Sequence, residues 1–325
     1  MIARLPMSQV LARRTIITSA NLSFGTPFDT SRFPSLAHLY IRAIAAHPLG
    51  QSEKAMNLYH YTDAQAVQSI LVNRKLWLTD LRFMNDSTEL SHGVEILKKA
   101  MEHQPHGLFY DWDYAEKAMS YLSNSLDEYE DASWTEDPVF AMSFSRKDDL
   151  LSQWRGYGNY AVAFDSERLK EFGLKLRDCI YDSKSKADQA SQQLTNAGTS
   201  ISRSMAEING CISVDSIDKQ IELIELAATF KDAGFEEESE VRMIARPDQH
   251  DIKYRPRNGM LIPYVEIEIP AEAIVSVRVG PIRDQHLASL SMKMFLGSVE
   301  SAYRSDGGDV EWSVPVDTSK TPYRQ

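Results

Sequence analysis

The order of helix-like and strand-like segments restricts the folds open to this 325-residue chain more than any other feature. From residue 57 onward, short apolar runs typical of strands alternate irregularly with stretches whose apolar residues recur at helical spacing. A regular series of strand–helix–strand units, which builds a parallel sheet, does not fit this order. We therefore predict an α+β domain with a mainly antiparallel, split sheet.

The predicted strands are short and widely separated along the chain. They cover residues 57–61, 76–79, 139–145, 159–165, 240–245, 261–269, 273–281 and 309–316. Helices are predicted at 64–74, 108–128, 149–158 and 285–297. A further helix is predicted to begin at the capping box formed by Asp86 and Glu89. Residues 183–232 are predicted to form two more helices, as an insertion or a lid on the sheet.

The charge is distributed unevenly and suggests a boundary near residue 55. Residues 1–55 hold six basic and two acidic residues, whereas the whole chain has a net charge of −11. We interpret 1–55 as a basic N-terminal extension that is partly flexible or forms one short helix at 36–46, and 56–325 as a single domain. The composition of the extension is typical of an organellar transit peptide or a basic arm, and the simpler alternatives are a loosely held leader or a start codon assigned too early, with Met56 as the start. No run approaches the length of a membrane span, and two cysteines without a CxxC pair suit a reducing cytoplasm.

Three segments carry side chains suited to binding or chemistry. His60 and Thr62 lie two residues apart on a predicted strand, so their side chains share a face. Together they can hydrogen-bond ribose hydroxyls or a carboxamide. The simpler alternative for His60 is a core residue, which is the more frequent place of a histidine on a strand. The second segment carries hydroxyl, cationic and aromatic side chains, which could hold a nucleotide. These residues are Ser143, Ser145, Trp154, Arg155 and Tyr157. The simpler alternative is that its aromatic rings only anchor the core.

The third segment, residues 235–242, gathers four carboxylates at the start of a strand. Glu238, Glu240 and Arg242 alternate, so in an extended chain they share one face. Crowded carboxylates are costly without a cation. Arg242 is a candidate partner, and a ligand that develops positive charge is the alternative. The simplest interpretation of the run as a whole is a solvated acidic loop.

Six blocks in this order resemble a large, mostly bacterial family of proteins of unknown function. They are LYHYT with its helix, LWLTDLRFMNDSTELSHG, MSFSRKDDLLSQWRGYG with AVAF, FEEESEVR, VRVGP and SKTPYR. The architecture of that family is similar to the ADP-ribosyltransferase fold. The resemblance implies an enzyme that cleaves the bond between nicotinamide and ribose in NAD and transfers ADP-ribose to a macromolecule. It also implies, by analogy, a toxin or phage-defence effector, which an inhibitor or antitoxin could restrain.

The resemblance also assigns roles to residues. Glu240 matches the catalytic glutamate, with Glu238 two residues earlier orienting the acceptor, and the pair His60 and Thr62 matches the element that contacts NAD. Tyr61, Ser143, Ser145 and Tyr157 are candidates for the position near nicotinamide, and Arg155 or Arg146 for the pyrophosphate. NAD is thus the expected substrate, without a metal, and we expect Glu240 to lie across one cleft from His60.

Two questions stay open at this level. The acceptor is RNA, DNA or protein, with a basic groove formed by Arg74, Lys75, Arg82, Arg146, Lys147 and Arg155 as the candidate nucleic-acid contact. The alternative functions are a non-catalytic ligand- or protein-binding module, in which Glu240 and Arg242 form an internal ion pair, and an NAD glycohydrolase, in which water is the acceptor.

Overall fold

The computed structural model describes residues 56–84, 87–103, 112–130, 138–247, 251–257 and 259–322. Its strands are β1 (Asn57–Thr62), β2 (Lys75–Asp80), β3 (Phe140–Ser145), β4 (Tyr160–Asp165), β5 (Lys175–Asp178), β6 (Glu240–Ala245), β7 (Lys253–Arg257), β8 (Met260–Glu268), β9 (Ile274–Val279) and β10 (Val316–Thr318). Its helices are α1 (Ala64–Asn73), α2 (Ser87–Glu102), α3 (Trp112–Glu130), α4 (Leu151–Tyr157), α5 (Ser166–Glu171), α6 (Ser183–Glu207), α7 (Val214–Ala227) and α8 (Gln285–Ser305). The predicted extension 1–55 and the capping residue Asp86 lie outside the described residues.

The sheet divides into branches at β3. Along one edge, β3 pairs with β6 over its full length, and β6 pairs in turn with β5. Along the other edge, β3 pairs with β1 near Ser145 and with β2 near Phe140. From β1 the sheet continues through β4 and β9 to β10, and from β2 through β8 to β7. All these pairings are antiparallel except β9 with β10, so the predicted α+β architecture with a mainly antiparallel sheet is confirmed.

The two faces of the sheet bury different cores. One face, here called the core face, carries Phe140, Met142 and Phe144 of β3 and packs against α1 and α8. Helix α1 fits this position because Asp63 caps its first turn and its apolar residues form one stripe. The opposite face, here called the cleft face, carries Ser143 and Ser145, since side chains alternate along a strand.

Helices α6 and α7 occupy the predicted insertion at 183–232. They pack with α2 and α3 into a second hydrophobic core, which contacts the sheet through Ala141 and Ile244 on the cleft face. Helices α2 and α3 complete the apolar stripes of the insertion. The result is a layer of four helices on one part of the cleft face.

Several element boundaries differ from those predicted. The last helix continues to Ser305, and the final strand is limited to Val316–Thr318, although Trp312 and Val314 before it are buried. Strands β5 and β7 and helix α5 were not predicted, because their sequences KLRD, KYRPR and SERLKE are polar. No helix within the described ranges combines the length and the apolar character that crossing a bilayer requires.

Candidate functional site

A small cleft opens on the cleft face where β3, β6 and α4 meet. Its enclosed volume is about 10 Å³, space for about one water molecule and far below the 300–1,000 Å³ typical of ligand pockets, so a dinucleotide would lie almost entirely outside it. Residues from three distant segments line it, and five of the predicted site residues are among them. The lining residues are Ser143, Phe144, Ser145, Gln153, Tyr157, Glu238 and Glu240.

Helix α4 forms one wall of this cleft and is held by aromatic packing. Trp154 is buried and meets Tyr61 edge to face, with 4.5 Å between the ring centroids. Gly280 lies against the same indole, and a Cβ there would come within 2.6 Å of it. The helix ends at Gly158, whose φ of 134° and close approach to the Thr62 carbonyl exclude a side chain. Trp154 is therefore an anchor, as the simpler sequence interpretation held, while Tyr157 stays 40% exposed at the cleft.

A single carboxylate connects the start of α4 to the end of the chain. Asp149 accepts hydrogen bonds from the Trp154 indole at 2.8 Å, the Ser319 hydroxyl at 2.5 Å, the Lys320 amide at 2.7 Å and the Thr321 hydroxyl at 3.1 Å. Burial opposes ionisation of Asp149, but these donors outweigh it and lower its pKa. Part of the SKTPYR block thus contributes to the position of the cleft wall.

Five charged residues form a buried cluster beneath the cleft, here called the charge cluster. The Arg242 Nε lies 2.6 Å from one Glu240 oxygen, and Lys231 contacts the other. Lys231 also lies 2.6 Å from Glu238 and 3.3 Å from Glu89, which in turn contacts Arg242. Three carboxylates share two cations, so the charge cluster has a formal surplus of one negative charge.

The charge cluster keeps Glu240 ionised. Burial alone would raise the pKa of Glu240, but Arg242 and Lys231 outweigh it and hold that pKa at about 2. Burial would likewise lower the pKa of Lys231, yet Glu240, Glu238 and Glu89 raise it above its usual range. Glu240 is therefore a fixed anion and cannot serve as a proton acceptor near neutral pH.

The carboxylates also affect the tyrosines around them. Burial, and then the negative charge of Glu240, raise the pKa of Tyr157. The Tyr181 hydroxyl accepts a hydrogen bond from the Glu240 backbone amide at 2.8 Å, and burial raises its pKa to about 12. Both phenols stay protonated at neutral pH, so the one that lines the cleft, Tyr157, presents a neutral hydroxyl there.

His60 and Glu240 lie on opposite faces of the sheet, so the prediction that they share one cleft is wrong. Tyr59 pairs directly with Ser145, and Ser145 pairs with Glu240, which places these three side chains on the cleft face. His60, one residue along β1, therefore lies on the core face, with its ring 5.9 Å from that of Phe144. Burial lowers the pKa of His60, and its Nδ1 lies 2.9 Å from the Ser143 carbonyl oxygen.

Three other predicted site residues, Thr62, Tyr61 and Arg155, do not line the cleft. Thr62 shares the face of His60, away from the cleft. Tyr61 is 4% exposed beneath α4, where its hydroxyl donates to the Lys147 carbonyl at 2.7 Å and accepts from the Leu150 amide. Arg155 is exposed on α4 and does not line the cleft.

The hydroxyl of Ser145 is already used inside the protein, which limits its part in binding. It donates to the Glu238 carbonyl at 2.6 Å and accepts from the Lys147 amide at 2.9 Å. Ser145 therefore positions the chain that carries Glu238. Four residues were predicted near nicotinamide: Tyr61, Ser143, Ser145 and Tyr157. Of these, Ser143 and Tyr157 line the cleft with side chains that are not used in this way to hold the chain in place.

Four of the six cations of the predicted basic groove have partners within the chain. Arg82 lies 2.6 Å from Asp80, Arg146 contacts Asp178, and Lys75 lies 3.4 Å from Glu266. Arg74 caps α1 and stacks on Tyr303. These contacts offset part of the positive charge, and a nucleic-acid contact through the groove stays a prediction.

Three cleft or cluster residues were missed by sequence reasoning. Gln153 lines the cleft and is buried, and its position directly before Trp154 and Arg155 is the signal that could have found it. Glu89 was assigned only to a capping box, and Lys231 follows α7 without any motif. For Glu89 and Lys231, only their charges, opposite to those of Arg242 and Glu240, could have suggested a place in the charge cluster.

A second depression, of about 200 Å³, lies between β5 and α6, away from the predicted residues. It is lined mainly by polar side chains, among them Arg177, Gln189, Gln192 and Asn196. It is larger than the cleft, but it contains none of the residues predicted to act in chemistry. We therefore take the cleft above the charge cluster as the candidate functional site.

Comparison with known proteins gives one match. No curated protein and no solved structure is significantly similar to the chain. The predicted resemblance to the ADP-ribosyltransferase fold therefore stays a prediction. The sequence of residues 153–243 matches the model of a family described as "Protein of unknown function (DUF2971)", and this stretch carries Gln153, Tyr157, Glu238 and Glu240 of the cleft.

Proposed function

We propose that the protein is an ADP-ribosyltransferase-like enzyme that cleaves NAD at the cleft above the charge cluster. The observation that carries the proposal is the convergence of Ser143, Tyr157, Glu238 and Glu240, from three separate segments, on one opening. The cleft itself has space for about one water molecule, so the nicotinamide–ribose end of NAD would bind across its mouth, beside Tyr157 and above Glu240.

In this proposal Glu240 acts as a fixed negative charge. When the bond between ribose C1′ and the nicotinamide nitrogen breaks, nicotinamide leaves with the electron pair and positive charge develops on the ribose, as in glycoside hydrolysis. An ionised carboxylate held by Arg242 and Lys231 is already oriented and stabilises that charge more than it stabilises NAD itself. A low pKa supports this role, because the group must stay ionised.

Glu238 is the proposed base toward the acceptor. It lines the cleft and shares Lys231 with Glu240, with 2.6 Å between its Oε2 and the ammonium nitrogen. An acceptor hydroxyl would add its lone pair to C1′ and lose its proton to Glu238. With water in that position the same steps give an NAD glycohydrolase, so the two activities differ in the acceptor alone.

The second candidate function is a non-catalytic ligand- or protein-binding module. Two observations favour it: both oxygens of Glu240 are ion-paired, and His60 faces away from the cleft. In that case the charge cluster is an internal structural network. The toxin or phage-defence role, an inhibitor partner and a cytoplasmic location stay predictions under either function.

Release of nicotinamide by a Glu240→Gln variant separates the two candidates. The wild type and the variant are incubated with NAD, with and without cell extract as a source of acceptors, and free nicotinamide is measured. Loss of one preorganised electrostatic group costs about 10²- to 10³-fold in rate, so we expect the variant to be slower by that factor.

The matched control is Glu225→Gln, which removes another buried, ion-paired carboxylate that does not line the cleft. Equal slowing by both variants would show that stability, not chemistry, is affected. An absence of nicotinamide release by the wild type under all conditions would favour the binding module.

A further inference from the structure

The branch formed by β2, β8 and β7 carries aromatic and basic side chains on a single face. The register pairs Trp77 with Glu266, and Tyr264 with both Thr79 and Lys253, so all these side chains lie on the cleft face of that branch. Alternation then adds Lys75, Arg255 and Arg257 to the same face. We call the following residues the aromatic–basic patch: Lys75, Trp77, Lys253, Arg255, Arg257 and Tyr264.

The centre of this patch is a cation fixed against two rings. The Arg255 guanidinium lies 5.3 Å from the centre of the Trp77 ring and 5.4 Å from that of Tyr264, and the two rings lie 4.6 Å apart. Its Nη2 donates to the Thr79 hydroxyl at 2.8 Å, while its buried Nε has no hydrogen-bond partner. Trp77 is still 37% exposed, which leaves aromatic surface open to a ligand.

The patch has surplus positive charge on a chain that is acidic overall. Lys75 and Lys253 both contact Glu266, and Lys75 also lies 3.6 Å from Glu268. Four cations against two carboxylates leave a local surplus of two positive charges, whereas the whole chain carries −11. Burial and repulsion from Arg257 lower the pKa of Arg255, so a nearby anion would relieve crowding between the two cations.

We propose that the aromatic–basic patch binds single-stranded nucleic acid. Alternate residues of β7 are cationic and share one face at a spacing of about 6.6 Å along the strand, and Trp77 with the Arg255 plane offers stacking surface for bases. The combination of a positive track with stacking platforms distinguishes this ligand from a simple polyanion. The inference goes beyond the proposed function and does not depend on it.

Fluorescence anisotropy with labelled single-stranded RNA and DNA oligonucleotides of mixed sequence, titrated at several salt concentrations, tests the proposal. We expect Lys253→Gln with Arg257→Gln to weaken binding at low salt and to reduce the slope of log affinity against log salt by about 1.4, because each lost phosphate contact is worth about 0.7. We expect Trp77→Leu to weaken binding about 5- to 100-fold with an unchanged salt slope.

The control double variant, Arg283→Gln with Lys293→Gln, removes the same charge at two exposed positions outside the patch and should bind as the wild type does. Glu240→Gln should also bind normally, which separates this result from the outcome at the cleft. Equal weakening by both double variants, no binding by the wild type at low salt, or binding of inorganic polyphosphate as tight as that of the oligonucleotides would overturn the proposal. Melting curves of every variant identify losses that come from unfolding.

Discussion

The carboxylates of Glu225 and Glu240 are both buried and ion-paired, but their surroundings differ in charge balance and in access. Glu225 is 1% exposed and contacts three cations: Lys175 at 2.9 Å, Arg177 at 2.8 Å and Arg246 at 2.7 Å. Glu240 shares two cations with two further carboxylates and lines a cleft. Glu225 thus joins α7 to β5 and to the end of β6, and its three cations give this network an excess of positive charge. The charge cluster instead has an excess of negative charge, and it lies beside solvent at the cleft.

This difference separates a structural ion pair from a candidate site. Burying charges costs desolvation energy that their attraction rarely exceeds, so neither network is evidence of unusual stability. At Glu225 the surplus cations reach the surface, where Lys175 is 43% and Arg177 34% exposed. In the charge cluster Arg242 and Lys231 are each 4% exposed, so the three carboxylates rather than solvent offset their desolvation.

The largest expected effect is on stability. Arg242→Met removes one of two cations that serve three carboxylates, and breaking a buried pair typically costs about 3–5 kcal/mol. Arg246→Met should cost clearly less, because Arg246 is partly exposed and Glu225 keeps two other cations. Urea unfolding of both variants measures the difference. Equal losses of unfolding free energy in the two variants would mean that the two networks contribute equally to stability and that the charge balance of the cluster has no effect of its own.

The next effect is a loss of stability in acid. Glu240 has a pKa of about 2 in the folded protein and an ordinary value near 4.5 when unfolded, so its contribution is complete above pH 4.5 and disappears as the pH falls toward 2. The shift corresponds to roughly 3 kcal/mol. The gap in unfolding free energy between the wild type and Glu240→Gln should therefore narrow by about 2 kcal/mol between pH 5 and pH 2.5, since part of the contribution remains above the folded pKa, in urea titrations at each pH. A constant gap would contradict the ionised state assigned to Glu240.

The smallest effect concerns the residue on the other face. His60→Ala removes a ring packed near Phe144 and a hydrogen bond to the Ser143 carbonyl, at a cost of about 1 kcal/mol. Because the imidazole faces away from the charge cluster, NAD affinity should not change, and calorimetric titration together with the melting midpoint tests both points. Weaker NAD binding without lower stability would restore the role in NAD binding first predicted for His60.

Much of the fold was predictable because it depends on local pattern. The strands around Tyr61, Phe144 and Phe164 are short apolar runs, and the capping residue Asp63 marks the start of α1. The strands that were missed, such as β7 with Pro256, are polar edge strands whose pairing depends on neighbours rather than on their own composition.

The candidate site was only partly predictable, because the face on which each side chain lies and the partners in the charge cluster both depend on residues far apart in the sequence. Alternation along β1 shows that His60 and Tyr61 face opposite ways, but the pairing of Tyr59 with Ser145 decides which of them shares a face with Glu240. The contact between Arg242 and Glu89 joins residues 153 positions apart. Glu238 and Glu240 were found from the acidic run itself, but the predicted extended chain does not include Glu238, because Glu238 ends a 3₁₀ helix (Ala233–Glu238) and Ser239 is left-handed before the strand starts at Glu240.

The four hydrogen bonds of Asp149 have a practical consequence for work on this protein. They join residues 319–321 to the helix that forms a wall of the cleft. Proteolytic trimming that removes Ser319 and the residues after it would release Asp149 from three of its four donors and loosen that wall. Preparations for assays at the cleft should therefore be checked, by intact mass, for retention of residues 319–321.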